Sequence, residues 1–147
     1  MKNEAYRDPS LPVDARVRDL LARMTIEEKV AQMYQHYRKD PETYVGRGCG
    51  SVLQVLGPRT DELQKIALEE TRLGIPVLFG IDAIHGHCEW PGTTVFPTQL
   101  AVAASWDPEQ ARAMGRITAV EMSYTGAHWT FSPVADIARD LRWGRVD

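Results

Sequence analysis

Apolar positions follow two rhythms along this chain. From Val13 to Met24 they recur at helical spacing, with Val17, Leu20, Leu21 and Met24 on one side and Arg and Asp on the other, which predicts an amphipathic helix. Thr25 opens a second helix: Thr25 and Glu28 form the T-x-x-E pattern of a capping box, and Ile26, Val30 and Met33 carry the apolar face onward. A polar lead-in over residues 1–11 precedes this helical prelude, and a charged, glycine-containing loop over Arg38–Gly48 follows it. The rhythm then changes. Gly50–Leu56, GSVLQVL, predicts a strand, and Pro58 and Asp61 precede a helix over Glu62–Leu73 with Leu63, Ile66 and Ala67 in one stripe. The turn pair Leu73-Gly74 leads into a second strand, Ile75–Ile81. Asp107 and Pro108 open a helix to about Tyr124, expected to bury Ala113, Met114, Ile117, Val120 and Tyr124. Gly126 ends it, and His128–Val134, HWTFSPV, predicts a third strand.

Strand, helix, strand with short connections is a βαβ unit, whose strands are parallel neighbours joined by a right-handed crossover. The order α, α, β, α, β, α, β therefore predicts an α/β fold, but about three strands after a helical prelude cannot close a barrel. A (β/α)8 (TIM-type) barrel takes about 250 residues, and the 147 residues stop after a strand without the helix that should cover it, so they are expected to be the incomplete N-terminal part of something larger.

The stretch Ile75–His87, IPVLFGIDAIHGH, organises the rest. Its apolar run suits a strand buried on both faces, and Asp82 arrives where the run stops, at the strand end where α/β proteins build their sites. Asp82 as a functional carboxylate and Asp82 as a cap of the following turn both fit that position. The link from Asp82 to Ser105 is long for a connection between strand and helix, and its Trp90, Phe96 and prolines argue against disorder.

Composition narrows the classes. With 44% hydrophobic and 25% charged residues the chain can bury a core. A net charge of -3 and a pI near 5.8, with arginines scattered among acids, point away from a nucleic-acid partner. Cys49 and Cys88 lie far apart without metal-ligand spacing, which suits unpaired thiols in a reducing compartment. Neither a signal-type apolar segment nor an 18-residue apolar run is present, so no membrane partner and a cytoplasmic location are expected.

Two clusters carry candidate chemistry. After the second strand stand His85, His87, Cys88 and Glu89, and H-x-H at a strand end can begin a metal-hydrolase site. Such a site needs about three protein ligands. The remaining histidines, His36 in the helical prelude and His128 at a strand start, are badly placed, and Gly86 between the pair indicates a turn. Hydrogen-bonded structural histidines are the expectation, and no metal or cofactor is. After the third strand, SPVADIARDLRWGRVD interleaves Arg139, Arg142 and Arg145 with Asp136, Asp140 and Asp147 around Trp143. That pattern fits a surface ion-pair network, or a site for a polyhydroxylated ligand in which a carboxylate accepts from neighbouring hydroxyls and Arg donates a fixed fork. Trp90 or Trp143 is suited to covering the apolar side of a sugar ring.

GIDAIHGH, TVFPTQLAVAASWDPE and WTFSPVADIARDLRWGR, in this order and spacing, resemble the N-terminal domain of family-3 glycoside hydrolases, the β-glucosidase and β-xylosidase group. The resemblance runs from the helical prelude to the last residue. It implies a (β/α)8-type barrel followed by an α/β sandwich, and retaining, exo-acting hydrolysis of terminal β-linked glucose or xylose, for which two carboxyl groups stand about 5 to 5.5 Å apart. It also implies that Asp82 and Arg145 bind hydroxyls of the non-reducing-end sugar. The family often has proline between RD and RWGR, where Leu141 stands here. Its Lys-His motif, nucleophilic Asp and acid/base lie beyond Asp147, so no catalytic role falls on a residue of this chain. The expected partners are a small carbohydrate substrate and, for the unclosed sheet, the remaining barrel segment or copies of the chain itself.

Overall fold

The computed structural model describes residues 4–137 and 139–144. A 3-10 turn, Ala5–Arg7, precedes α1 (Val13–Arg23) and α2 (Ile26–Gln32). Four strands follow, β1 (Gln35–Tyr37), β2 (Ser51–Leu53), β3 (Leu78–Ile81) and β4 (Trp129–Thr130), with helices α3 (Pro41–Gly46), α4 (Pro58–Lys65), α5 (Gln99–Ala103) and α6 (Pro108–Tyr124) between them. All pairs are parallel and the spatial order is β1-β2-β3-β4. This is the partial α/β layer expected of an unclosed barrel, with four strands rather than three.

The capping box forms as read from the sequence: the Glu28 amide donates to Thr25 Oγ1 at 3.2 Å and the Thr25 amide to Glu28 Oε2 at 2.9 Å. Thr25→Ala should cost about 1 kcal/mol, measured as a lowered denaturant midpoint at unchanged slope. An unchanged midpoint would show that Arg72, which donates to both Glu28 oxygens, holds this end without the cap.

Alternation divides the sheet into two faces. His36, Val52 and Phe79 share a register line on the helix-covered face, and Ser51 pairs with Leu78 and Leu53 with Gly80 on the other. On the covered face Val52, Val55, Val77 and Phe79 pack with Val45 and Cys49 beside α3 and with Leu63 and Ala67 from α4 and the π-helical turn Ile66–Glu70 that extends it. A second cluster joins Ile81 and Ala83 to Met122 of α6 and to Ala127. The opposite face stays open: Tyr37, Leu78 and Trp129 are 48%, 50% and 44% exposed.

Several elements depart from the sequence reading. His36 lies in β1, inside the stretch assigned to the helical prelude, and α3 occupies the expected loop over residues 38–48. The strands are shorter than Gly50–Leu56, Ile75–Ile81 and His128–Val134, because pairing covers only two to four positions each. The helix expected over Glu62–Leu73 starts earlier, at Pro58, and its α-helical part ends at Lys65. In α6 the inward side is Met114, Thr118 and Met122, whereas Ala113, Ile117, Val120 and Tyr124 are exposed. Val13, Val17 and Leu21 of α1, Ile26 and Val30 of α2 and Met33 just after it are likewise exposed, while Leu20 is half-buried and Met24 buried: α3 and α4 already cover the sheet, so only part of the apolar stripe turns inward. No helix is long and apolar enough to cross a membrane among the described residues.

Candidate functional site at the end of β3

Asp82 directly follows β3. Its neighbours Ile81 and Ala83 are almost fully buried in the α6 cluster, so both sides of the residue are clamped against the helix layer. Alternation then assigns Asp82 to the face of Leu78 and Gly80, the uncovered one, at its carboxyl-terminal rim. Room at this rim has a specific cause: a Cβ on Gly80 would stand 2.8 Å from Phe131 Cζ. The Phe131 ring therefore lies directly over Gly80 and would have to shift to admit a side chain there.

The long link after Asp82 folds back on itself. Gly86 bridges Val95 in antiparallel sense, and the Phe96 amide donates to the His85 carbonyl at 2.7 Å. His85 Nδ1 donates in return to the Phe96 carbonyl at 3.1 Å. The fold-back is fastened to α6 by Glu121, whose carboxylate accepts from the Thr94 amide at 3.0 Å and from Thr94 Oγ1 at 2.7 Å. The sequence reading missed Glu121 because it sits in a helix whose apolar stripe drew attention to its neighbours.

His87 is fully buried, with Nε2 at 2.7 Å from Thr125 Oγ1. That hydroxyl spends its proton on the Met122 carbonyl at 2.9 Å, so His87 donates from Nε2 and its buried Nδ1, which has no hydrogen-bond partner, carries the lone pair. Burial pushes the imidazole below its ordinary value, against the opposing pull of Glu121 and Glu89, and the neutral ring agrees with this hydrogen-bond pattern. His85 and His87 thus serve separate structural bonds, as their spacing around Gly86 suggested. No group of three or more His, Cys, Asp or Glu side chains gathers in a metal-binding cluster among the described residues.

Among the described candidates, Trp90 does not share a hollow with Asp82. Trp90 lies against Gly57 (φ +67°), where any Cβ would collide with its indole, and together with Asp61, Glu121 and Tyr124 it lines a hollow of about 560 Å³ that does not include Asp82. Beyond β4, the Arg142 guanidinium and amide both bind the Asp140 carboxylate. This lowers the Asp140 pKa and raises that of Arg142, chiefly through the side-chain hydrogen bond. That pair is an exposed ion pair, as a surface network of these arginines and aspartates would have it. Arg145 lies outside the described residues. Cys49 is buried and its thiol is pushed up to about 11 by desolvation, while Cys88 is exposed; neither is in a disulfide.

Comparison with known proteins gives the family of the chain. The glycosyl hydrolase family 3 N-terminal domain matches residues 25–147. Among solved structures, a β-glucosidase involved in saponin metabolism from intestinal bacteria is 52% identical with a TM-score of 0.74, over 88% of this chain and 17% of that one. The Listeria innocua β-glucosidase in complex with glucose is 36% identical with a TM-score of 0.75, over 90% and 20%. The periplasmic β-glucosidase of Salmonella typhimurium is 33% identical over 90% of this chain and 18% of its own, and a putative β-xylosidase of Formosa agariphila is 31% identical over 99% and 22%. The chain spans about a fifth of the length of these relatives. Four parallel strands, a carboxylate clamped at the rim of the third and a family match over most of its length lead to one conclusion: the chain belongs to glycosyl hydrolase family 3, within its N-terminal domain.

Proposed function

We propose that this chain is the N-terminal part of a retaining, exo-acting β-glycosidase that removes terminal β-linked glucose or xylose from oligosaccharides or glycosides. The observation that carries the reading is Asp82, held by buried Ile81 and Ala83 at the rim of β3. There a carboxylate can accept from two adjacent sugar hydroxyls, and Arg145, by resemblance, donates to the same ring. Trp90 is a flanking aromatic in this proposal, and its seat against Gly57 makes it the weaker contributor. The exposed, unpaired Cys88 supports a reducing, cytoplasmic setting.

Asp82→Ala in the complete enzyme tests the reading. Hydroxyl contacts form when the sugar binds and strengthen as charge develops on it, and a charge-assisted hydrogen bond is worth about 1.5 to 3 kcal/mol. The substitution should therefore lower kcat/KM at least about tenfold. A rate within about twofold of wild type on nitrophenyl β-glucoside and β-xyloside would overturn the assignment, and the same pair of substrates ranks the two sugars.

A further inference from the structure

We infer that Gln99 is a positioning residue for Asp82, bracing the end of β3 against the segment that leaves β4. Gln99 is the first residue of α5, capped by Thr98, and the fold-back of the link delivers it to this place. Its Nε2 donates to the Ile84 carbonyl at 3.1 Å and to Ser132 Oγ at 2.8 Å, and the Ser132 hydroxyl donates to the same Ile84 carbonyl at 3.4 Å. The three groups close a triangle of hydrogen bonds. Ile84 lies two residues after Asp82 and Ser132 two residues after the end of β4. One side chain therefore ties together the two strand exits that lead to Asp82 and towards Arg145.

The brace complements what packing does. Ile81 and Ala83 hold the backbone around Asp82 against α6, but apolar packing does not fix the direction in which the chain departs, whereas a hydrogen bond to a particular carbonyl does. Of the triangle's three bonds, removing the Gln99 amide leaves the 3.4 Å one from Ser132 to Ile84. The rim can then shift by a fraction of an ångström, and displacements of about 1 Å in a positioning group cost up to about a hundredfold in rate.

This inference rests on the glycosidase reading, and its test separates the two. In the complete enzyme, Gln99→Leu keeps the side chain's bulk and removes both donors. It should raise KM for nitrophenyl β-glycosides and the inhibition constant of the corresponding free sugar, with kcat/KM falling by about fivefold to tenfold. In an Asp82→Ala background the same substitution should cost less than about twofold, because the group it positions is gone. Ser132→Ala, which removes one corner of the triangle, should show the same non-additivity at smaller size and stands in for Gln99→Leu if that variant does not fold. A residue that merely supports the fold would lower kcat alone, by reducing the active fraction, and equally in both backgrounds. That result, or an unchanged KM, overturns the brace while leaving the glycosidase reading intact. A wild-type enzyme inactive on both glycosides overturns the glycosidase reading, and the brace with it.

Discussion

The 147 residues on their own should hydrolyse no nitrophenyl glycoside and should self-associate. Retaining hydrolysis requires a pair of carboxyl groups about 5 to 5.5 Å apart across the scissile bond. The resemblance places both beyond Asp147, so a hydroxyl-binding Asp82 has nothing to activate. Self-association follows from the sheet. Among the described residues β1 and β4 have neighbours on one side only, leaving backbone donors and acceptors along both edges, and Tyr37, Leu78 and Trp129 add apolar surface on the uncovered face. Light scattering across a concentration series should show growing mass that falls when the remaining barrel segment is added in trans. A monomer with a cooperative thermal transition and measurable turnover would refute both parts.

Gly86→Ala should open the link after Asp82 far more than the same change at Gly92. Gly86 has φ +107°, a conformation that costs a residue with a side chain about 1 to 3 kcal/mol, and Gly92 at φ +87° carries a similar penalty. The two differ in their surroundings. Around Gly92 there is open space, whereas a Cβ on Gly86 would fall on the Thr94 carbonyl, a backbone atom that cannot swing aside. Relief comes only by parting Gly86 from residues 94–96, which breaks the Phe96 amide bond to His85 and loosens the Glu121 contacts to Thr94. In native-state hydrogen exchange the Phe96 amide should therefore exchange at least about tenfold faster in Gly86→Ala, with Gly92→Ala showing the smaller change. Equal exchange in the two variants would mean that the close approach at Thr94 is not a constraint.

Much of this was legible in the chain, and the misses share a cause. The capping box at Thr25, the parallel βαβ order and the position of Asp82 were readable because each depends on short-range pattern: a cap spacing, an alternation of periods, the end of an apolar run. β1 was not, since QHY carries no aliphatic run. Its burial comes from His36 stacked on Tyr44 at 3.6 Å between ring centroids, a contact that local periodicity does not encode. The inward face of α6 was misread for a related reason. Thr118 hides its polarity by donating to the Met114 carbonyl at 2.8 Å and so behaves as a core residue, while the more hydrophobic stripe through Ile117, Val120 and Tyr124 faces outward. Gln99, Glu121 and Thr125 act through contacts 15 to 38 residues away in sequence. No local signal marks such partners.

The strict spatial order β1-β2-β3-β4 also bears on how the domain is made. β2, β3 and β4 each pair with the strand synthesised just before them, so none of these three pairings waits at the ribosome for a distant partner. Chains emerge at about 5 to 20 residues per second, slow enough for every βα unit to dock before the next arrives. The growing edge is then always the newest strand, and the inward face stays wet until translation delivers the strands that close the ring. For a family member about five times this length, that interval is the period in which a chaperone would find Tyr37, Leu78 and Trp129 within reach.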